Sequence, residues 1–276
     1  MNKAGLSLSL IFMLIIGTQH YCFCQTSGTT QDKPAKNTLK FDKRIWDLKN
    51  TDPKIRRKAA HSLGKMGNPE AIPFLADILL AQDEPVNVRL ACAWAIGKIG
   101  DPSGYDPLAA ALQDTSPYIR KSVVLALGKL NIPQAEKLIL DSLRNDPDEE
   151  VRGTATVALE FSKNPDLINE LAKSAYDSSE GYKVRCGAII IMAKISGSCA
   201  QCASLALPHF KKLIEDPEGY VRGTTAAALK NHLPNNPETL KILKKAKKAE
   251  IKRTENGIGD EYTLSVIETS IKALEK

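Results

Sequence analysis

Aromatic residues are scarce in this chain, 5% of 276, with two tryptophans among them. The shortage argues against a sheet-rich domain, where Phe, Tyr and Trp fill much of the pleated surface. Histidine is scarcer still at four residues, and six cysteines add little, so conventional metal ligands are few. No His-Glu dipeptide occurs. Neither sign of charge dominates. The 38 Lys+Arg against 32 Asp+Glu leave +6, too mild to demand nucleic acid and too balanced for a disordered chain. A long hydrophobic run is missing too: Leu6–Ile16 (LSLSLIFMLII) has eleven residues, whereas a bilayer span needs about 20.

That short run follows Lys3 and precedes the polar Gly17-Thr18-Gln19-His20. A charged start, a short apolar centre and a polar end predict a signal peptide over residues 1–24, cleaved after Cys24. The mature chain is then exported, periplasmic or secreted, with no transmembrane span. Lipid attachment at Cys22 or Cys24 is the weaker alternative, because Tyr21 and Phe23 stand where such sites carry a small residue. Residues 25–39 are polar and aperiodic and read as a flexible linker.

What fills the rest is a repeat. IRRKAAHSLGKMG from Ile55 returns as VRLACAWAIGKIG from Val88, IRKSVVLALGKLN from Ile119 and VRGTATVALEFSK from Val151. VRCGAIIIMAKIS from Val184 and VRGTTAAALKNHL from Val221 complete the set. Their arginines are Arg56, Arg89, Arg120, Arg152, Arg185 and Arg222, spaced 33, 31, 32, 33 and 37 residues apart. Between them lie second apolar segments with helical spacing, such as PEAIPFLADILL and PQAEKLILDSL, each opened by a Pro that a first helical turn tolerates. Each repeat is a helix pair that cannot bury its apolar face alone. Residues 40–275 are therefore expected to form an all-α fold, an α-solenoid of about seven stacked helix pairs.

D-P-x-I-R at 52–56, the V-R pairs, L-G-K-x-G at 63–67 and I-G-K-I-G-D-P at 96–102 resemble HEAT repeats, specifically the short type named after phycobilisome lyases. The resemblance implies the solenoid. For function it implies less, since such repeats serve as scaffolds, adaptors and enzymes.

Counting each repeat Arg as zero and turning 100° per residue separates the faces of its helix. Positions −1, +3, +7 and +10, as in Val88, Cys92, Ile96 and Ile99, face the first helix of the pair. Small residues at +6, and Gly64, Gly97 and Gly128 at +8, permit close approach of neighbouring pairs. Asp83, Asp114, Asp146 and Asp216 lie six residues before an Arg, and together the two sets read as a structural Arg–Asp ladder. Position +5 points to the concave side and is apolar in Trp94, Leu125, Val157 and Ile190, beside Lys65, Lys98, Lys129 and Lys194 at +9. These eight residues form the expected partner-binding face, unless curvature buries +5 between repeats.

Other chemistry is thin. Cys199 and Cys202 form a CxxC without the His of a haem site, a second zinc pair or a preceding strand, which leaves a local disulfide as the leading reading. The iron-binding hydroxylases built on HEAT repeats resemble this chain but use His-Glu pairs, so no metal, cofactor or catalytic residue is expected. The run KILKKAKKAEIKR (241–253) is either a solvated capping helix or a patch for an anionic surface. The leading expectation is an exported, non-catalytic scaffold that binds an unidentified protein or peptide. The rival is an enzyme like the bilin lyases. A DNA-binding relative of HEAT-like glycosylases ranks below both, because export removes the chain from DNA.

Overall fold

The computed structural model describes residues 36–275. The expected signal peptide and most of the expected linker lie outside the described residues, and the first helix begins within the linker's last four positions. Fourteen α-helices follow one another among the described residues, with no strand between them. They form seven pairs: α1 (Lys36–Asp47) with α2 (Pro53–Met66), α3 (Ile72–Leu80) with α4 (Val86–Ile99), and α5 (Tyr105–Ala111) with α6 (Pro117–Leu130). Next come α7 (Pro133–Asn145) with α8 (Glu149–Ala158), and α9 (Leu167–Tyr176) with α10 (Tyr182–Ser196). The last are α11 (Ala200–Leu213) with α12 (Gly219–His232), and α13 (Pro237–Glu255) with α14 (Glu261–Leu274). The all-α solenoid of about seven pairs expected from the repeat is the fold.

Local chemistry sets the helix ends. Asp52 accepts the Lys54 N–H at 2.8 Å ahead of Pro53, and Asp148 accepts the Val151 N–H at 3.1 Å, each satisfying a donor that the first turn leaves open. Gly67 and Gly100 close α2 and α4 at φ 68° and 72°, a left-handed conformation that glycine adopts without a Cβ penalty. Asn131 takes that place after α6 at φ 50°.

The even-numbered helices stack directly on one another along the chain, α2 on α4 through to α12 on α14. Glycine at +8 of one repeat meets alanine at +6 of the next. A Cβ on Gly64, Gly97 or Gly128 would stand 2.8, 2.6 or 3.0 Å from the Cα of Ala95, Ala126 or Ala158. The odd-numbered row is looser, and an open cleft separates α5 from α7, lined by Leu112, Leu138 and Asp141. The even row is thus the tighter, inner arc. Between the rows runs one continuous core, in which Leu75, Leu79, Cys92 and Ile96 are all fully buried.

The fourth pair departs from the others. Gly153, Thr154, Thr156 and Val157 are weak helix formers, and α8 stops at Ala158 while its counterparts run on. Its continuation is pinned by Glu136, which accepts from Ser162 at 2.5 Å and from Asn164 at 3.2 Å.

Candidate functional site

Two sets of residues recur from repeat to repeat: the arginines, and the exposed face of the inner helices. Every repeat Arg reaches forward to a carboxylate of the following pair. Arg56 binds Glu84 (2.7 Å), Arg120 binds Asp146 (2.8 Å), Arg152 binds Glu180 (2.9 Å), Arg185 binds Asp216 (2.6 Å) and Arg222 binds Glu250 (2.8 Å). Arg89 binds Asp114 in the same way. The remaining donors turn back to backbone. Nη1 of Arg120 binds the Asp114 and Thr115 carbonyls, and Nε of Arg89 and Arg185 binds the Leu79 and Ala175 carbonyls.

The acids differ in part from those expected. Asp83 is exposed and outside the ladder, and Glu84 stands in its place. Glu180 and Glu250 were not anticipated. The rule that covers the loops is Asp six residues, or Glu five residues, before the next Arg, because the extra methylene of Glu makes up one position. Glu250 precedes no repeat Arg and lies within α13. Burial works to raise the pKa of Asp114, Asp146 and Glu250, but hydrogen bonds from Arg89, Arg120 and Arg222 and from nearby backbone N–H groups outweigh it and hold all three below the usual carboxylate range. Engaged by carboxylates and backbone carbonyls, these guanidinium groups tie successive repeats together.

The inner face is different. At +5, His61 is exposed, and Leu125, Val157 and Ile190 expose 39%, 53% and 41% of their surface, so curvature does not bury the row. Trp94 is half-buried. Its ring lies 4.8 Å from the His61 ring and its Cζ3 sits against Gly64, so the glycine that lets α2 and α4 approach also makes the indole's slot. Burial, with Arg57 and Lys65 nearby, lowers the His61 pKa and favours the neutral ring.

The flanking lysines divide into two groups. Lys65, Lys98 and Lys129 are exposed, and α2, α4 and α6 contain no Asp or Glu. Lys194 on α10 instead pairs with Glu160 at 2.6 Å, and Lys183 pairs with Glu150. The cationic, apolar face is therefore concentrated over the first three inner helices, with Arg57 and Lys58 at its edge. Val157, Ile190 and Lys194 continue the row past the break in α8 without the free charge.

The basic run of α13 is largely neutralised. Lys241, Lys244, Lys245, Lys247 and Arg253 pair with Glu238, Glu275, Glu215, Glu268 and Glu250. Of the two readings of residues 241–253, these pairs favour the solvated capping helix over the patch for an anionic surface. Cys199 and Cys202 are joined in a disulfide, Cα to Cα 5.1 Å, at the start of α11. Among the described residues no group of three or more His, Cys, Asp and Glu is placed to hold a metal, and no helix is long and apolar enough to cross a membrane.

The profile described as HEAT repeats matches residues 45–87, 78–160 and 136–230. The bilin biosynthesis protein PecE of Mastigocladus laminosus is 28% identical over 162 residues, 58% of this chain and 59% of that protein. The phycocyanobilin lyase subunit alpha of Synechococcus elongatus is 33% identical over 118 residues, 40% of this chain and 43% of that one. Deoxyhypusine hydroxylase of Neurospora crassa is 33% identical over 89 residues, 32% and 28% of the two chains. The chain spans about half the length of the two bilin-related proteins. The solved structure of Escherichia coli YibA is 18% identical, with a TM-score of 0.51 over 87% of this chain and 82% of that one, a likeness of fold alone.

These relatives correct the expectation of a non-catalytic scaffold, since they are named as a biosynthesis protein, a lyase subunit and a hydroxylase. The donor set does not suit the iron of the HEAT-repeat hydroxylases. His61, His209 and His232 sit on α2, α11 and α12, and both ring nitrogens of His209 are engaged, by Tyr176 at 2.8 Å and Asn169 at 3.0 Å.

Proposed function

Because this chain belongs to the HEAT-repeat family, we propose that it works as a subunit of a bilin-lyase-like enzyme, holding an extended, largely apolar molecule that carries carboxylates. The observation behind this reading is the acid-free face of α2, α4 and α6. There the His61–Trp94 pair and Leu125 offer a platform for a flat conjugated body, and Lys65, Lys98 and Lys129 stand ready for its acid groups. The Synechococcus relative is named a subunit, which favours a second protein chain as partner. Export, expected from residues 1–24, remains part of the proposal and is supported by the Cys199–Cys202 bridge, since such bonds persist in oxidising compartments.

Phycocyanobilin tests the reading directly. In Trp46→Phe protein, whose one remaining tryptophan is Trp94, added bilin should quench the indole emission and shift its own absorption. Lys98→Glu with Lys129→Glu should weaken that binding by about tenfold, or 1.4 kcal/mol, as loss and reversal of complementary charge does. Undiminished Trp94 emission and an unshifted spectrum at about 50 μM bilin, well above a micromolar dissociation constant, would reject it.

A further inference from the structure

The CxxC is placed unlike a simple staple. Cys199 is the N-terminal cap of α11, a helix of 14 residues, and it is exposed, while Cys202, three positions on, is 3% exposed. The Cys202 N–H donates to Cys199 Sγ at 3.0 Å. A sulfur in that position gains from the donor and from the positive end of the helix as negative charge develops on it, so the reduced Cys199 is stabilised as thiolate. As a staple the bridge does little. With a sequence separation of 3 it closes a minimal loop and removes few unfolded conformations. The other two described cysteines lack these features: burial pushes the Cys92 thiol up to about 12 and raises that of Cys186.

We propose that Cys199–Cys202 is a thiol–disulfide exchange site that oxidises the dithiol of a partner polypeptide, an activity independent of the bilin reading above. A partner thiolate attacks the exposed Cys199 Sγ. The new S–S bond joins partner to Cys199, and the old one breaks with its electron pair on Cys202, which takes up a proton. The partner's second thiolate then attacks the partner sulfur of this mixed disulfide and expels Cys199 as a thiolate held by the Cys202 N–H. Two electrons pass to the cysteine pair and the partner leaves as a disulfide. Entry falls on Cys199 because Cys202 is closed to a protein-sized attacker.

The test uses the full chain. In reduced protein, alkylation of each cysteine is followed by peptide mass spectrometry against pH. Cys199 should react with a midpoint at about 7.5 or lower, the range of helix-start and CxxC thiols, and Cys186 should not react until well above it. Oxidised protein mixed with a reduced two-cysteine peptide should convert it to its disulfide. Cys202→Ala protein whose Cys199 is first activated as a mixed disulfide with thionitrobenzoate should take up a one-cysteine peptide on Cys199 with release of thionitrobenzoate, and Cys199→Ala protein treated alike should hold none at Cys202. A Cys199 midpoint above about 7.5, or peptide oxidation no faster than with the Cys199→Ser/Cys202→Ser protein, overturns the proposal. Because the first measurement is made on the unaltered chain, a variant that fails to fold leaves it standing as a test.

Discussion

Replacing Glu250 by alanine removes the carboxylate that accepts Nε and Nη2 of Arg222, each at 2.8 Å, together with the Asp260 N–H at 3.0 Å. The Arg222 side chain is 2% exposed and Glu250 is fully buried, so the guanidinium left behind cannot recover water without opening the α12–α13 contact. Breaking a buried pair from one side costs about 3–5 kcal/mol. In a stack whose units touch only their neighbours, that loss falls mainly on the terminal pair α13–α14. Backbone amides there should exchange with solvent about a hundredfold to a few thousandfold faster, at tenfold per 1.4 kcal/mol. Those of α2 and α4 should be unchanged. Glu180→Ala is the control. Its partner Arg152 keeps 18% of its side-chain surface in water and can rehydrate, so the cost should be about 1 kcal/mol. Joint replacement, Arg222→Met with Glu250→Leu, should restore most of the stability, because the one charge it leaves unpaired, Arg253, keeps 24% of its side-chain surface in water. Equal losses for Glu250→Ala and Glu180→Ala, or a loss under about 1 kcal/mol for the first, would refute the claim that burial ranks the rungs of the ladder.

Gly97→Ala should destabilise by about 1–3 kcal/mol, despite alanine's better helix propensity, because its Cβ would stand 2.6 Å from the Ala126 Cα, which is backbone; a melting curve decides this. Acid should act through the ladder. Asp114, Asp146 and Glu250 have depressed folded-state pKa values, so their contribution is complete above the unfolded carboxylate values of about 4 and is lost as pH falls through the folded ones. The melting temperature should decline modestly between pH 7 and 5, where His61, His209 and His232, their pKa values lowered by burial, take up protons on unfolding, and drop steeply below about pH 4; Glu250→Gln should lower the upper level and shrink the acid drop.

Position within the repeat was legible because each helix pair meets the same surroundings as the last. The recurring Arg, the glycine at +8 and the alanine at +6 therefore carry the same meaning wherever they recur, and they located the stack, its core and its inner face. Partners contributed by other repeats were harder to read. Glu84 was missed for Asp83 because the geometric test is reach rather than residue type. Glu250 was missed because it belongs to no loop–Arg pattern. The lysines of 241–253 looked free in a line of text, yet Glu215, Glu268 and Glu275, brought in from the turn after α11, from α14 and from the residue after α14, pair with Lys245, Lys247 and Lys244. Lys194 resembled Lys98 by position alone, and Glu160, 34 residues earlier, separates them.

A ladder whose rungs all reach forward makes the two ends of the molecule unequal. Taking away α1 and α2 would remove Arg56 and leave Glu84, which keeps 15% of its side-chain surface in water and can accept solvent in exchange. Taking away α13 and α14 would remove Glu250 and uncover a base, Arg222, whose Nε and Nη2 then turn to water. A cut at the front therefore bares an acid, and a cut at the back bares a base. The stack is thus polar along its axis, every break between repeats leaving guanidinium on one side and carboxylate on the other.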